Sequence, residues 1–419
     1  MKKIFLTLLI ILFCLGLVFG IYFSFKKLAK TDTRAKFTFW SIQLKPVYEK
    51  PILRIIEEFE KTHPDLKVVW VDIPIQEAQK RTLASVLSSN PPDLINLNPD
   101  FSILLAQRNI LYIFDNDDVS QFHPNLLNKL KYNGSIYALP FYATSPITIY
   151  NKEILSSCKI NPDLIKTFDD LYKVSKEKNC STPLFASSIN ENDAFAKILN
   201  KYNVSTFSDE SELKKAQHVY SIFNDLYKSN NLPKDVLATN HREVVEKYMS
   251  SKSAIIVAGS NFINMIKQNA ADVYAKTEIK EQLTGENGKY DIAIMNLIIP
   301  KKSNNIKAAL DFALLLTNKE NQLELSKLTN VIPANKYALE NDYFKTKSND
   351  LYEKARYLSA LQLNKLNEVN FGNQNKKAIN EEINSTLEEI LLNPKSDENL
   401  IKSNIKELSK KIINLKENI

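Results

Sequence analysis

Trp40, Ser41 and Gln43 close one predicted strand and Asn98 and Asp100 follow another, so an aromatic ring, a hydroxyl, two amides and a carboxylate gather at strand ends. Such a mixture suits the binding of a small polar molecule. Rings cover apolar faces, while amides, hydroxyls and carboxylates replace the hydrogen bonds that a polar ligand leaves behind in water. Each residue also has a plainer role open to it. Trp40 can serve the core and Gln43 the surface, and Asp100 precedes a predicted helix through Phe101, Leu104 and Leu105 that it can cap.

Side chains for covalent or metal chemistry are not spaced for it. There is no Gly-rich phosphate loop, Cys-x-x-Cys or His-Glu-x-x-His, and His63, His123, His218 and His241 are scattered, so neither a metal nor a cofactor is expected. Asp115-Asn-Asp-Asp118 offers oxygen ligands but lacks the other positions of a calcium loop and reads as a solvated turn. Cys158 and Cys180 flank a predicted helix over 167–178, which leaves both a disulfide and two free thiols open.

Strands and helices alternate to position these residues. Residues 37–40 form a short apolar strand, 48–62 show helical spacing through Ile52, Ile55, Ile56 and Phe59, and 66–71 are rich in β-branched and aromatic residues. A second amphipathic helix over 76–88 stops at Asn90-Pro91-Pro92, and 93–97 is again a strand. This alternation with short connections favours an α/β fold with a mostly parallel sheet. Near the C terminus, 376–392 and 400–415 carry helical patterns separated by Pro394.

The chain opens with Lys2 and Lys3, an uncharged run over 4–25, and Lys26-Lys27, which is long enough to cross a bilayer. Val18-Phe19-Gly20 offers a cleavage site, so residues 1–30 are either a retained anchor or a removed signal peptide. Cys14 lacks the small neighbours of a lipid-anchored cysteine. Lys26, Lys27, Lys30, Arg34 and Lys36 outnumber the positive charges before the run, which by the positive-inside rule argues against export. The formal charge of +7 comes almost entirely from this end; the two signs nearly cancel in the remainder. No basic footprint for nucleic acid exists there. With 419 residues, 44% of them hydrophobic, the chain has material for about two domains.

Six phrases in order carry a family likeness. Phe39-Trp40-x-x-Gln43, Glu58-Phe-Glu-Lys-Thr-His-Pro-Asp-Leu-Lys-Val68, Pro92-Asp93-Leu-Ile-Asn-Leu97 and Tyr132-Asn-Gly-Ser-Ile-Tyr-Ala-Leu-Pro140, leading to Tyr150-Asn151-Lys152, are the first four. Lys247-Tyr-Met-Ser-Ser-Lys-Ser-Ala-Ile-Ile-Val-Ala-Gly259-Ser260 and Ile299-Pro-Lys-Lys-Ser-Asn-Asn-Ile-Lys-Ala-Ala-Leu-Asp-Phe312, with Val331-Ile-Pro-Ala334 beyond, complete the set. Over 36–415 the chain thereby resembles the carbohydrate-type extracellular solute-binding proteins of ABC importers, in the maltose-binding-protein-like superfamily.

The resemblance implies a two-lobe, Venus-flytrap α/β fold preceded by the hydrophobic helix. One lobe takes 37–143 and 292–318 and the other 144–291 and 319–419, with crossings at 141–143, 291–293 and 317–319. It implies a sugar held between the lobes by Trp40, Ser41, Gln43, Asn98, Asp100, Phe141, Tyr142 and Thr144, with Trp40, Gln43 and Asp100 foremost. Phe141 and Tyr142 can equally be hinge packing. In the second lobe Ser260, Asn261 and Phe262 stand where relatives carry a proline and a stacking tryptophan, and Ser260 can instead cap the following helix. Asn370-Phe371-Gly372-Asn373 is a further candidate corner. The implied setting is the outer face of the cytoplasmic membrane, with a monomer handing its ligand to permease subunits driven by a cytoplasmic ATPase. A tethered sensor is the alternative, and a glycoside-processing enzyme, needing two carboxylates about 5 to 9.5 Å apart, ranks below it.

Overall fold

A computed structural model describes residues 32–177, 180–367 and 375–417. The leader at 1–30 and Phe371 lie outside the described residues, among which no helix is long and apolar enough to cross a membrane.

Two sheets carry the fold. The first contains β1 (Ala35–Ile42), β2 (Leu66–Ile73), β3 (Leu94–Leu97) and β4 (Leu139–Thr144); the second contains β5 (Pro146–Asn151), β6 (Phe185–Ala186), β7 (Ile255–Gly259) and β8 (Thr277–Lys280). β9 (Ala293–Ile298) and β10 (Ile332–Pro333) return to the first, whose order is β10-β4-β9-β3-β1-β2. β1 is parallel to β2 and β3, while β9 runs antiparallel to β3 and β4, so β1 to β4 share one direction. The second sheet, β8-β5-β7-β6, departs from the parallel expectation because β5 runs antiparallel to both β7 and β8. β5 enters directly from β4 with only Ser145 between them, so it leaves the crossing as the other strands approach it.

Each sheet is covered on its faces by its own apolar clusters. In the first lobe, helix Lys45–Thr62 buries Tyr48, Ile52, Ile55, Ile56 and Phe59. The Phe312 ring meets Phe37, Phe39 and Phe59 at centroid distances of 5.6, 5.4 and 4.9 Å. Rings in such offset contacts add to the area they bury. In the second lobe, helices Lys376–Leu392 and Glu398–Glu417 turn Ile379, Ile383, Leu387, Ile401, Ile405 and Leu408 into one cluster with Tyr220 and Phe223. Their apolar stripes are consumed by the core.

The crossing expected at 317–319 is not there. Asn318 caps helix Lys319–Thr329, whose Leu325 joins the first lobe's core and whose Glu324 pairs with Arg54 of helix Lys45–Thr62 at 2.5 Å. β10 then extends the first sheet beside β4. An apolar contact on Leu325 and a strand pairing both hold this stretch to the first lobe. The chain reaches the second lobe's core with Leu351, Ala355 and Leu358 of helix Leu351–Gln362, touches the first again at Leu363 and Leu366, and re-enters the second at Ile379.

Candidate binding cleft between two lobes

The passages between lobes meet in a buried polar network. Ser145 is 1% exposed; its hydroxyl donates to the Asp291 carbonyl at 3.1 Å and accepts from the Gln362 amide at 2.8 Å. Gln362 also donates to the Pro146 carbonyl at 2.9 Å and accepts from the Gln282 backbone at 2.7 Å. The Gln282 side-chain oxygen accepts from the Asp291 backbone at 2.8 Å and from Lys201 Nζ at 2.5 Å. Lys201, 2% exposed at its side chain, completes the set with the Leu283 carbonyl at 2.7 Å and the Asp291 carboxylate at 3.0 Å. Burial pushes the Lys201 pKa down, against the pull of Asp291. A buried charge is tolerated when its partners are this complete.

The shared direction of β1 to β4 brings their carboxyl ends to one edge of the first sheet, the edge from which β4 crosses. In open α/β sheets ligands bind at such an edge. On the other side, pairing of Pro146 with Gly259 places Ser260 and Asn261 close to the same crossing.

The expected residues divide there. Trp40 is half-buried, lies against the cluster of Ile95, Leu97, Phe101 and Leu105, and has the Arg81 guanidinium 5.7 Å from its ring centroid, a cation–π contact. Gln43 is exposed with φ +50°, a left-handed turn that carries the chain out of β1, and its backbone donates to the Ile73 carbonyl at 3.2 Å. Tyr142 is half-buried, its ring centroid 6.3 Å from that of Tyr48, and burial pushes its phenol pKa up. Thr144 ends β4 half-buried. Asn261 is exposed and leaves its helix without a side-chain cap.

The others are committed within a lobe. Ser41 is 1% exposed, donates to Asp72 at 2.5 Å and accepts from the Trp70 indole at 2.7 Å; Asp72 in turn accepts from the Leu44 and Lys45 backbone, starting the helix. Phe141 is a core residue at 1% exposure. Asn98, not Asp100, caps helix Pro99–Gln107, accepting from the Phe101 backbone at 2.9 Å. Ser260 is buried, makes no side-chain cap, and accepts from the Ile263 backbone only through its carbonyl, at 3.3 Å. Phe262 meets His241 edge-to-face at 5.1 Å and packs on the second lobe's core.

Asp100 is exposed and reaches across the lobes to Lys376, both of its oxygens lying 2.8 Å from Nζ. Nothing in the sequence singles out Lys376 or Arg81 for these contacts. Lys376 stands next to one candidate corner and is marked by nothing else, whereas Arg81 lies on helix Ile75–Val86 and meets Trp40 only through tertiary packing. The Asp115 carboxylate caps helix Asn116–Val119 in a reciprocal capping box with Asp118, which uses the acidic turn locally. Among the described residues no group of three His, Cys, Asp or Glu side chains is placed to hold a metal ion. Cys158 and Cys180 are joined, with Cα atoms 5.4 Å apart.

Comparisons with known proteins follow this architecture. Residues 46–323 match the family model of the bacterial extracellular solute-binding proteins. The arabinooligosaccharide-binding protein of Bacillus subtilis is 22% identical over 246 residues, covering 54% of this chain and 55% of that protein. The maltotriose-binding protein of Pyrococcus abyssi is 28% identical over 159 residues, covering 37% and 32%. The matched segments thus span about half and a third of those relatives. Among solved structures, the sugar-binding protein MalE of Xanthomonas citri superposes with a TM-score of 0.74 at 15% identity, covering 91% of this chain and 97% of that one. At these identities structural likeness speaks for the fold alone.

Proposed function

The chain belongs to the bacterial extracellular solute-binding protein family, and on that premise we propose that it is the substrate-binding subunit of an ABC importer, capturing a sugar or oligosaccharide between its lobes. The observation that carries this reading is that Trp40 and Gln43 of β1 and Tyr142 and Thr144 of β4 all lie toward the carboxyl ends of their strands, on the side of the first sheet from which β4 crosses to Pro146, the partner of Gly259 in the second lobe. The Trp40 ring packs on the apolar C–H face of a pyranose. Gln43, Thr144, Asn261 and the Tyr142 phenol then meet its hydroxyls, with Asp100 at the margin. Binding favours the closed arrangement, and the crossings absorb the rotation.

The rest of the reading follows from this one. The closed monomer docks on transmembrane permease subunits whose cytoplasmic ATPase drives uptake, and the leader holds or delivers the body to the outer face of the cytoplasmic membrane. The Cys158–Cys180 disulfide supports that location, because such bonds persist in oxidising compartments. No bond of the ligand is made or broken.

Thermal unfolding of the purified chain against mono- and oligosaccharides, polyols and glycerol phosphates, with amino acids and peptides as controls, tests the proposal. A ligand at 100 times its Kd stabilises by roughly 2.7 kcal/mol, a shift of several degrees. The expected result is a shift with one carbohydrate class that Trp40→Ala abolishes. A shift with peptides or amino acids alone discards the sugar assignment.

A further inference from the structure

Asp193, Lys197 and Lys201 recur at every fourth residue along helix Ala194–Asn200 and its flanks, which brings their side chains to one face. That face carries one carboxylate and two ammonium groups, each held by a partner of opposite charge. Lys201 Nζ lies 3.0 Å from the Asp291 carboxylate at the crossing, and Lys197 Nζ lies 2.8 Å from Asp193. Asp193 is 3.6 Å from Lys376, which holds Asp100 of the other lobe at 2.8 Å. The helix itself is anchored in the second lobe's core by Phe195, Ile198 and Leu199, while Asp100 rides on a helix whose Phe101 and Leu105 belong to the first. Three of the pairings therefore lie within the second lobe or at the crossing, and only the Lys376–Asp100 contact spans the two lobes.

We propose that Lys376 and Asp100 form a cross-lobe clasp that favours the closed arrangement before any ligand is present, with the Asp193–Lys197 pair holding the Lys376 ammonium in place. The Asp193 carboxylate is 19% exposed at its side chain and cannot swing into solvent as freely as Asp100, which is 65% exposed. Lys376 thus stays with the second lobe when the lobes part, and Asp100 is the partner released. A ligand that hydrogen-bonds Asp100 shares it with Lys376, so ligand capture and the clasp are coupled.

Spin labels at Glu57→Cys and Glu388→Cys, exposed positions on helices of the first and second lobes, report the separation in the full chain carrying Cys14→Ser. Without ligand at about 50 mM salt the short distance dominates, and about 1 M salt, where screening acts within about 3 Å, shifts weight to the long one. Lys376→Met shifts it at low salt by about twofold to fivefold in the closed-to-open ratio and removes the salt response, as does Asp100→Asn; Lys376→Arg restores both. Distance distributions for Lys376→Met that superimpose on the parent at both salt concentrations overturn the clasp. Because no ligand takes part, this result is independent of whether the ligand is a sugar.

Discussion

At the scale of single residues, polar side chains near the cleft are divided between those that build the lobes and those left over. Ser41 sits one position from Trp40, yet it joins Asp72 to the Trp70 indole and is closed to a ligand. Away from the cleft, His218 donates to Asp169 at 2.6 Å, and Asp169 also accepts from the Tyr202 hydroxyl at 2.6 Å, tying helix Glu210–Lys228 to helix Phe168–Glu177. The hydrogen bond that His218 donates to the carboxylate raises the His218 pKa above its ordinary 6.5, and the same bond lowers that of Asp169 below 3.8. The histidine's contribution is complete below its unfolded pKa and is lost as pH rises through the raised value. The carboxylate's is complete above 3.8 and is lost as pH falls through the lowered value. The pair therefore acts fully between about pH 4 and 6.5. His218→Gln is expected to flatten the fall in stability that wild type shows on passing upward from pH 6.5, measured by urea unfolding across that range. An unchanged profile assigns no such role to the pair.

At the scale of elements, assignment to a lobe is decided by where an apolar face finds its partner. Helix Lys319–Thr329 has a modest apolar stripe, but Leu325 is 3% exposed in the first core and β10 pairs with β4 directly after it. Leu325→Ala is expected to cost about 2 to 5 kcal/mol of first-lobe stability. Hydrogen exchange should then quicken in helix Lys45–Thr62 while helix Lys376–Leu392 keeps its protection. Equal loosening of both helices contradicts this allocation.

At the scale of the whole molecule, covalent and polar ties act in different places. The disulfide joins the end of helix Lys152–Ser157 to the far side of helix Phe168–Glu177 within the second lobe, 22 residues apart in sequence. Replacing both cysteines by serine is expected to lower second-lobe stability by roughly 2 to 4 kcal/mol, chiefly by freeing the unfolded chain. A denaturant midpoint that does not move would show that the bond adds nothing. The Ser145–Gln362–Gln282–Lys201–Asp291 network lies instead where the passages meet, and its complete hydrogen bonding joins the lobes through groups that an apolar contact would not orient.

Local patterns determined much of this protein from sequence alone. The spacing of Ile52, Ile55, Ile56 and Phe59, and of Ile379, Ile383 and Leu387, specifies helices because 3.6-residue periodicity puts those side chains on one face whatever they later meet. The order of the six phrases likewise carried the two-lobe α/β architecture. The placement of 317–339, the antiparallel run of β5, the commitment of Ser41 and Phe262, and the reach of Lys376 to Asp100 were decided only by tertiary structure. Each depends on partners tens to hundreds of residues away. A hydrogen bond or ion pair leaves no periodic trace in the chain that makes it, so Asp100 and Lys376, separated by 276 residues, give no local sign of meeting.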